Sequence, residues 1–565
     1  MAYISPSTKK FYLPREALIQ LKVISKDFPK VGAALEASAI EAKAPCGCLL
    51  RALPPGRPQQ LPFQAIPENN ERMKQWLRDR YAASTFNKCS HQPLKGITGP
   101  PLALHIDEDA PHKPAHTPAM ITLHWQDEVK RQLEEDVSLG VLERVPYGEP
   151  SKYCHRMVVT RKADGGPRRT IDMSSLNKAT LRETHHVQPP FQQARSIPPN
   201  TWKTVTDAWN GYHSIPLRAE DVPKTTFITP FGKFRCKMAP QGSSASGDGY
   251  ARRFDEIIAD IPRKTKCVDD TVQWDTDTDL EEHWWRVIEF LERCGQNGVI
   301  LNFGKFQFCQ REIKFAGFQI SDTDVKPLEK YLKAIAEYPT PTKTTDIRAW
   351  FGLVNQVSHY NKLTQLMAPF KPFLSKYKRF EWTEEMNIAF EQSKIAIVDA
   401  IKECVKIYDI NKLTCLRPDW SETGIGYFLS QKYCSCNSHI PGCCENGWRI
   451  TLAGSRFLKP AESRYAPVEG EALAIAWALE HTKFFTKGCD NLVVVTDHKP
   501  LIQLFEDHSL DQITNPRLFS LKQTTLPWKF SVVHKAGKEN HFADATSRNP
   551  ASSKMRLRIS QILRY

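Results

Sequence analysis

The sequence predicts a multidomain α/β (α+β) protein, and three observations predict it. At 565 residues the chain is too long for one hydrophobic core and needs several domains. Strand-like and helical segments alternate from about residue 135 to 325, and a second such pattern runs from 409 to 548 around the apolar strand "NLVVVTD". Apolar residues at 41% with 13 Trp mark a globular rather than a disordered chain.

Residues 1–134 read as loosely organised. "CGCLLRALPPGRPQQLPFQAIP" and "HIDEDAPHKPAHTPAM" are Pro-rich and linker-like, around one helix near Glu71–Tyr81. In 135–325 the clearest helix is "TDTDLEEHWWRVIEFLERCGQNG". Its Leu280, Trp284, Val287, Leu291 and Cys294 form one apolar stripe, Thr278 with Glu281 forms a capping box, and Gly295 supplies the stop. Residues 326–408 carry further helical signals, such as "TTDIRAWFGLVNQVSHY", and 549–565 form a short basic tail.

The net charge of +14 favours a polyanionic partner, nucleic acid before membrane surface. "MAYISPSTKK" has no apolar signal region, and no stretch approaches the roughly eighteen apolar residues of a membrane span. The expectation is an intracellular protein without a membrane partner. Its 15 cysteines are mostly single and set among apolar residues, as at Cys154, Cys236, Cys294 and Cys309, which suits reduced thiols.

The stretch "KCVDDTVQWD" places Asp269 and Asp270 between two β-rich runs, which alone is an ordinary hairpin turn. A third carboxylate, Asp207, ends the β-branched run Thr204, Val205, Thr206, where ligands of α/β sheets collect. Three such carboxylates suit nucleotidyl transfer, which uses two divalent cations about 4 Å apart with hard oxygen ligands. "VVTRKADGGPRRTID" reads as a hairpin carrying Lys162 and Arg168, cations suited to a triphosphate. Gln241 stands in a Pro-Gln-Gly turn, able to contact a nucleotide.

With "GYHSI", "PKTTFITPFGKFRCKMAPQG" and the "VDD" hairpin, this region resembles the palm and fingers of a retroelement reverse transcriptase. The resemblance implies that Asp207, Asp269 and Asp270 bind the metals and that Lys162 and Arg168 hold the triphosphate. It implies that Gln241 lies along the incoming nucleotide and that Tyr212 crowds the sugar 2′ carbon. Cys267 departs from the family, which usually has an aromatic residue two positions before the Asp pair.

Downstream, Glu471 lies on the apolar helical run "VEGEALAIAWALEH", where a carboxylate is costly unless a metal or the helix N-terminus compensates it. Asp497 ends "NLVVV", Asp419 follows "KLTCL", and Asp544 sits in "GKENHFADATSR". Together these four resemble the RNase H set, in the version of gypsy-type LTR retrotransposons, with "DIRAWFGLVN" and "FEWTEEMNIAF" agreeing in the connection. The resemblance covers about 135 to 548. His534 either assists product release or is structural. Cys434, Cys436, Cys443 and Cys444 can bind zinc, although the paired cysteines depart from the usual spacing; the competing reading is a solvent-facing thiol-rich loop.

The resemblance implies a right-hand polymerase of fingers and palm (135–325) and thumb or connection (326–408), then an RNase H-like mixed sheet with flanking helices (409–548). "KKFYLPREALIQLKVISKDFP", within 1–134, resembles the trailing end of a retropepsin-like domain, but no Asp-Thr-Gly or Asp-Ser-Gly occurs. Nothing after Arg548 has room for an integrase, so the chain reads as a piece of a longer Pol polyprotein or a truncated copy. Expected cofactors are Mg2+, with Mn2+ able to replace it, and zinc as an open question. Expected partners are RNA template, primer, RNA–DNA hybrid and deoxynucleotides, in a cytoplasmic virus-like particle with nuclear access. The competing function is a decayed or host-recruited retroelement protein that binds nucleic acid without catalysis.

Overall fold

The computed structural model describes residues 51–89, 92, 94–162, 165–355, 367–375, 380–402, 405–421, 424–438, 441, 443–444 and 447–535. Within them no helix is long and apolar enough to cross a membrane.

Four sheets organise most of the described chain. The central one, which corresponds to the palm, has four strands in the order Gln307–Gln310, Thr201–Asp207, Asp270–Thr276, Lys264–Cys267. Thr201–Asp207 is an interior strand built from the expected β-branched run. Val205 stands opposite Val272 and both face a second core, while Thr204 turns to the helix Leu280–Gln296. A five-stranded sheet, with His155–Arg161 and Pro167–Asp172 at one edge, forms the fingers. A small four-stranded sheet joins Ile313–Phe315, Phe318–Ile320 and Asp324–Pro327 to Val405–Lys406. The fourth sheet has five strands in the order Trp448–Phe457, Gly424–Lys432, Thr414–Trp420, Leu492–Thr496, Ser531–His534. Its first three strands are antiparallel and its last two add in parallel.

Helix Leu280–Gln296 buries the predicted stripe of Leu280, Trp284, Val287, Leu291 and Cys294. Its ends differ from expectation. Thr278 lies in a short 3-10 turn and bonds Thr276 and Asp279 instead of capping with Glu281. Gly295 is inside the helix, where a Cβ would fall 2.4 Å from Thr85 Oγ1, so it serves close packing; the left-handed glycine is Gly298 at φ +76°. The expected N-terminal helix is present as Asn70–Arg80, and its Met73 and Leu77 enter the same core as the palm helices. The Pro-rich segment before it also packs on the palm: the Gly56 N–H donates to Glu292. Apolar contacts thus tie down a stretch that looks like a linker in composition.

A buried polar chain locks helix Leu280–Gln296 to the palm sheet. The Cys309 N–H donates to Thr204 Oγ1, the Thr204 hydroxyl bonds His283 Nε2 at 2.7 Å, and His283 Nδ1 bonds Asp275 at 2.9 Å. Burial lowers the His283 pKa, and the neutral tautomer with its proton on Nδ1 satisfies every partner. Burial alone would raise the Asp275 pKa, but hydrogen bonds from His283 and Arg286 hold it below its ordinary value. Asp275→Ala would leave Arg286 and His283 buried without their acceptor, at a cost of about 3 kcal/mol or more. Urea denaturation followed by tryptophan fluorescence checks this, and a change below about 1 kcal/mol contradicts it.

Candidate active sites and family

The three palm carboxylates meet because of register and one strained turn. Asp207 and Asp270 are directly opposed in the antiparallel pairing of Thr201–Asp207 with Asp270–Thr276. Cys267 pairs with Asp270, so Val268 and Asp269 form a two-residue hairpin loop. Val268 has φ +54°, a conformation that costs a β-branched residue on the order of 1–2 kcal/mol. Only the first loop position is left-handed, where glycine would be the relaxed choice. The loop also hydrogen-bonds the end of the central strand, through the Ala208 N–H and the Asp269 carbonyl. All three acids therefore sit at one corner of the sheet.

Their electrostatics are those of crowded anions. Burial, the Asp207 charge and a hydrogen bond with Asp207 push the Asp270 carboxyl up to about 7. Burial and the Asp207 charge also raise Asp269, against the pull of Lys266 and Lys305. One Asp269 oxygen, Oδ1, is buried with no hydrogen-bond partner among the described residues. Lys305, from the segment "LNFGKF", places its ammonium 2.9 Å from Asp207 Oδ2. Burial would lower the Lys305 pKa, yet the Asp207 hydrogen bond and the three carboxylate charges hold it above its ordinary value. A monovalent cation already sits against the cluster, and an orphaned oxygen points to room for a stronger one; the donor set fits a hard divalent metal. A cleft of about 370 Å³ opens beside Asp207, Asp270 and Lys305.

Tyr212 lies on the turn Gly211–Ser214, half-buried, with its ring edge-on to Tyr250 at 5.6 Å. Burial and the Asp269 charge raise its pKa. Gly211 is required there, because a Cβ would fall 2.3 Å from Tyr250 Cζ. Lys162 and Arg168 are exposed on the fingers hairpin, which closes through the Lys162 N–H to the Gly166 carbonyl, and they stand on a different sheet from the carboxylates. Gln241 is also exposed. Its turn is held by Asn177, which donates to the Gly242 carbonyl and accepts from the Ser244 N–H, and by Gly242 at φ +101° against Ile171. Sequence reasoning missed Lys305 and Tyr250. A lone lysine between short strands and a tyrosine inside a helix carry no signal until pairing brings them to the acids.

In the second sheet Leu416 pairs with Val494 between parallel strands, and Asp419 and Asp497 each stand three residues further on. They are therefore level at the same end of neighbouring strands. Glu471 comes from helix Pro467–Thr486, whose first turn is pinned by Glu469 accepting from the Ala466 N–H, Asn515 and Arg517. Gly470 lies flush on Trp420, since a Cβ there would fall 2.4 Å from the indole. Glu471 and Asp419 each directly follow or precede one of these two touching residues, so the contact brings their backbones together. His534 pairs in register with Thr496, and its Nε2 lies 3.1 Å from the Asp497 carbonyl oxygen. Asp544 lies outside the described residues. The sulphurs of Cys434, Cys436, Cys443 and Cys444 gather away from these acids, within 4.8 Å of one another.

Comparison with known proteins agrees with this geometry. Residues 160–320 match the reverse transcriptase (RNA-dependent DNA polymerase) family, and residues 409–523 match the RNase H-like domain found in reverse transcriptase. The chain is 25% identical over 450 residues to a retrovirus-related Pol polyprotein from transposon opus of Drosophila melanogaster, covering 76% of this chain and 42% of that protein. It is 26% identical over 398 residues to the transposon Tf2-7 polyprotein of Schizosaccharomyces pombe, covering 70% of this chain and 29% of that protein. The chain thus spans less than half the length of these curated relatives. Among solved structures, the foamy viral protease-reverse transcriptase in complex with RNA/DNA hybrid is similar at TM-score 0.65 and 15% identity, covering 88% of this chain and 66% of that one. A related foamy viral structure in complex with double-stranded DNA gives TM-score 0.66 at 15% identity, covering 85% and 84%. The chain thus carries, in order, a segment that matches the reverse transcriptase family and a segment that matches the RNase H-like domain found in reverse transcriptase, and most of its length is similar to transposon Pol polyproteins.

Proposed function

We propose that the chain is an RNA- and DNA-directed DNA polymerase that also cleaves the RNA of RNA–DNA hybrids, at two separate carboxylate sites. The observation that carries this reading is the meeting of Asp207, Asp269 and Asp270 around a buried, unpartnered oxygen. Mg2+ or Mn2+ held by these acids, and by Asp419, Glu471, Asp497 and Asp544 in the nuclease, would neutralise the reacting phosphate and activate the attacking hydroxyl or water.

The chain's own groups do the rest. The opposed strands hold Asp207 and Asp270 rigidly, and Lys305 screens them until a stronger cation replaces it. Lys162 and Arg168 offer charge to a triphosphate, and the braced Gln241 turn offers an amide to the incoming nucleotide. Tyr212, five residues after Asp207, would exclude a sugar 2′-hydroxyl with its ring. The net charge of +14 provides sequence-independent grip on template, primer and hybrid backbones. That solved foamy viral relatives hold RNA/DNA hybrid and double-stranded DNA supports such partners. The activity would serve the replication of an LTR retrotransposon inside the cell.

Three outcomes test this reading. Asp269→Asn should abolish primer extension while hybrid cleavage persists, and Glu471→Gln should do the reverse, each by on the order of a thousand-fold. Loss of both activities in either folded variant contradicts two independent sites.

The Asp270 carboxyl titrates higher in the folded chain than in the unfolded one, so the folded state holds the extra proton between the two values. Stability contributed by this group therefore falls as pH rises from about 4 to about 7. Asp270→Asn should melt at a higher temperature than the parent at about pH 8 in chelator, with the gap closing near pH 4. Thermal scans across that range check the sign; a gap that does not widen with pH contradicts it.

Tyr212→Ala should admit ribonucleotides far more readily, because loss of apolar contact alone discriminates an added hydroxyl by only roughly a hundred-fold and the ring supplies steric exclusion beyond that. Single-nucleotide extension with matched ribo- and deoxynucleotides reads the ratio of efficiencies. An unchanged ratio makes Tyr212 a packing residue.

A further inference from the structure

We propose that Cys434, Cys436, Cys443 and Cys444 bind one zinc ion through four thiolates, as a structural clip that holds Cys443 against the small apolar cluster on one face of the nuclease sheet. No catalytic step depends on it.

The four Sγ atoms lie within 4.8 Å of one another, with Cys434 and Cys443 at 3.4 Å. A zinc tetrathiolate with bonds of about 2.3 Å has sulphur–sulphur edges of about 3.8 Å, so small shifts close the shell. The backbone is shaped to allow this. A Cβ on Gly447 would fall 2.4 Å from Cys444 Sγ and 2.6 Å from Cys434 Sγ, so only glycine lets the chain pass so close to the sulphurs. The base of the connection is closed by the Tyr433 N–H to the Gly447 carbonyl at 2.7 Å.

The surroundings fit a site with a net negative charge. The Lys432 ammonium donates to the Cys436 and Ser438 carbonyls, and Lys535 donates to the Pro441 carbonyl, which brings two cations to the segment. Binding forms four Zn–S bonds and releases the thiol protons to solvent, with no redox change. Two disulfides would instead draw the sulphurs into pairs about 2 Å apart, with no reason for all four to converge.

The position supplies a purpose. One face of the sheet is covered by helix Pro467–Thr486, which shares a core with Leu416 and Val494. On the other face Cys415, Val493, Val495 and Trp448 form a small buried cluster, and Cys443 packs against it. Zinc would hold Cys443 in place against that cluster.

The test uses the full chain, reduced and freed of metal, then titrated with Co2+ and with Zn2+. The expected results are about one equivalent bound, a thiolate-to-cobalt charge-transfer band, and four thiols that react with a thiol reagent only after zinc is removed. That band separates this site from the carboxylate sites, which hold no sulphur. Cys436→Ser with Cys444→Ser should lose it, whereas Cys444→His should keep metal with a shifted band. Absence of the band in the folded parent chain overturns the proposal. So does zinc retained by the double serine variant, or a Cys434–Cys443 disulfide recovered from metal-free protein in peptide mapping.

Discussion

Three carboxylates held at one corner of a sheet repel one another, and much of the palm answers to that repulsion. Asp207 and Asp270 face each other because the two central strands pair in a register that leaves no alternative. Asp269 is carried over the top by a two-residue loop whose left-handed valine a relaxed hairpin would avoid. Only strong surrounding structure keeps such a turn. It is supplied by Val205 and Val272 packed below, by Tyr250 buried under Gly211, and by the Thr204–His283–Asp275 chain tying the sheet to its helix. Lys305 removes part of the repulsion, and burial together with what remains pushes the Asp270 pKa up. An arrangement this unfavourable without a divalent cation makes sense as a place for one.

The nuclease sheet reaches a comparable result by a gentler route. Asp419 and Asp497 are level at the ends of parallel strands, spaced by the sheet rather than forced across a turn. Glu471 is delivered by a helix whose glycine lies against the neighbouring tryptophan. The two sites belong to one continuous body. A single core runs from Val205 and Val272 through Trp350, Phe370 and Phe390 to Leu416 and Ile475. Arg195, buried between the rings of Phe191 and Phe485, donates to the Thr451 carbonyl of the nuclease sheet. The two carboxylate clusters are thus held at a set separation.

Much of this was legible in the sequence because local patterns carried it. A β-branched run ending in Asp207, paired acids between two strands, and an apolar helix bearing Glu471 each announce themselves within a dozen residues. What was not legible depends on pairing between distant segments. Lys305 meets Asp207 from nearly a hundred positions away, and Tyr250 meets Gly211 from another helix. Thr278 looked like a cap because its spacing to Glu281 is right, but Thr276 and Asp279 compete for its hydroxyl. Gly295 looked like a helix stop, and Thr85 shows why a glycine is needed there instead. The Pro-rich stretch before Asn70 reads as a linker by composition, yet the palm gives it a surface to lie on.

The central claim is that the palm acids form a working cation site for DNA synthesis, and primer extension on an RNA template tests it most directly. The purified parent chain would be assayed with deoxynucleotides in Mg2+, in Mn2+ and in chelator, alongside its binding to the same primer–template. The account predicts extension that needs a divalent cation and stops in chelator while the nucleic acid stays bound. A folded chain that binds the primer–template but never extends it in either metal would contradict the account.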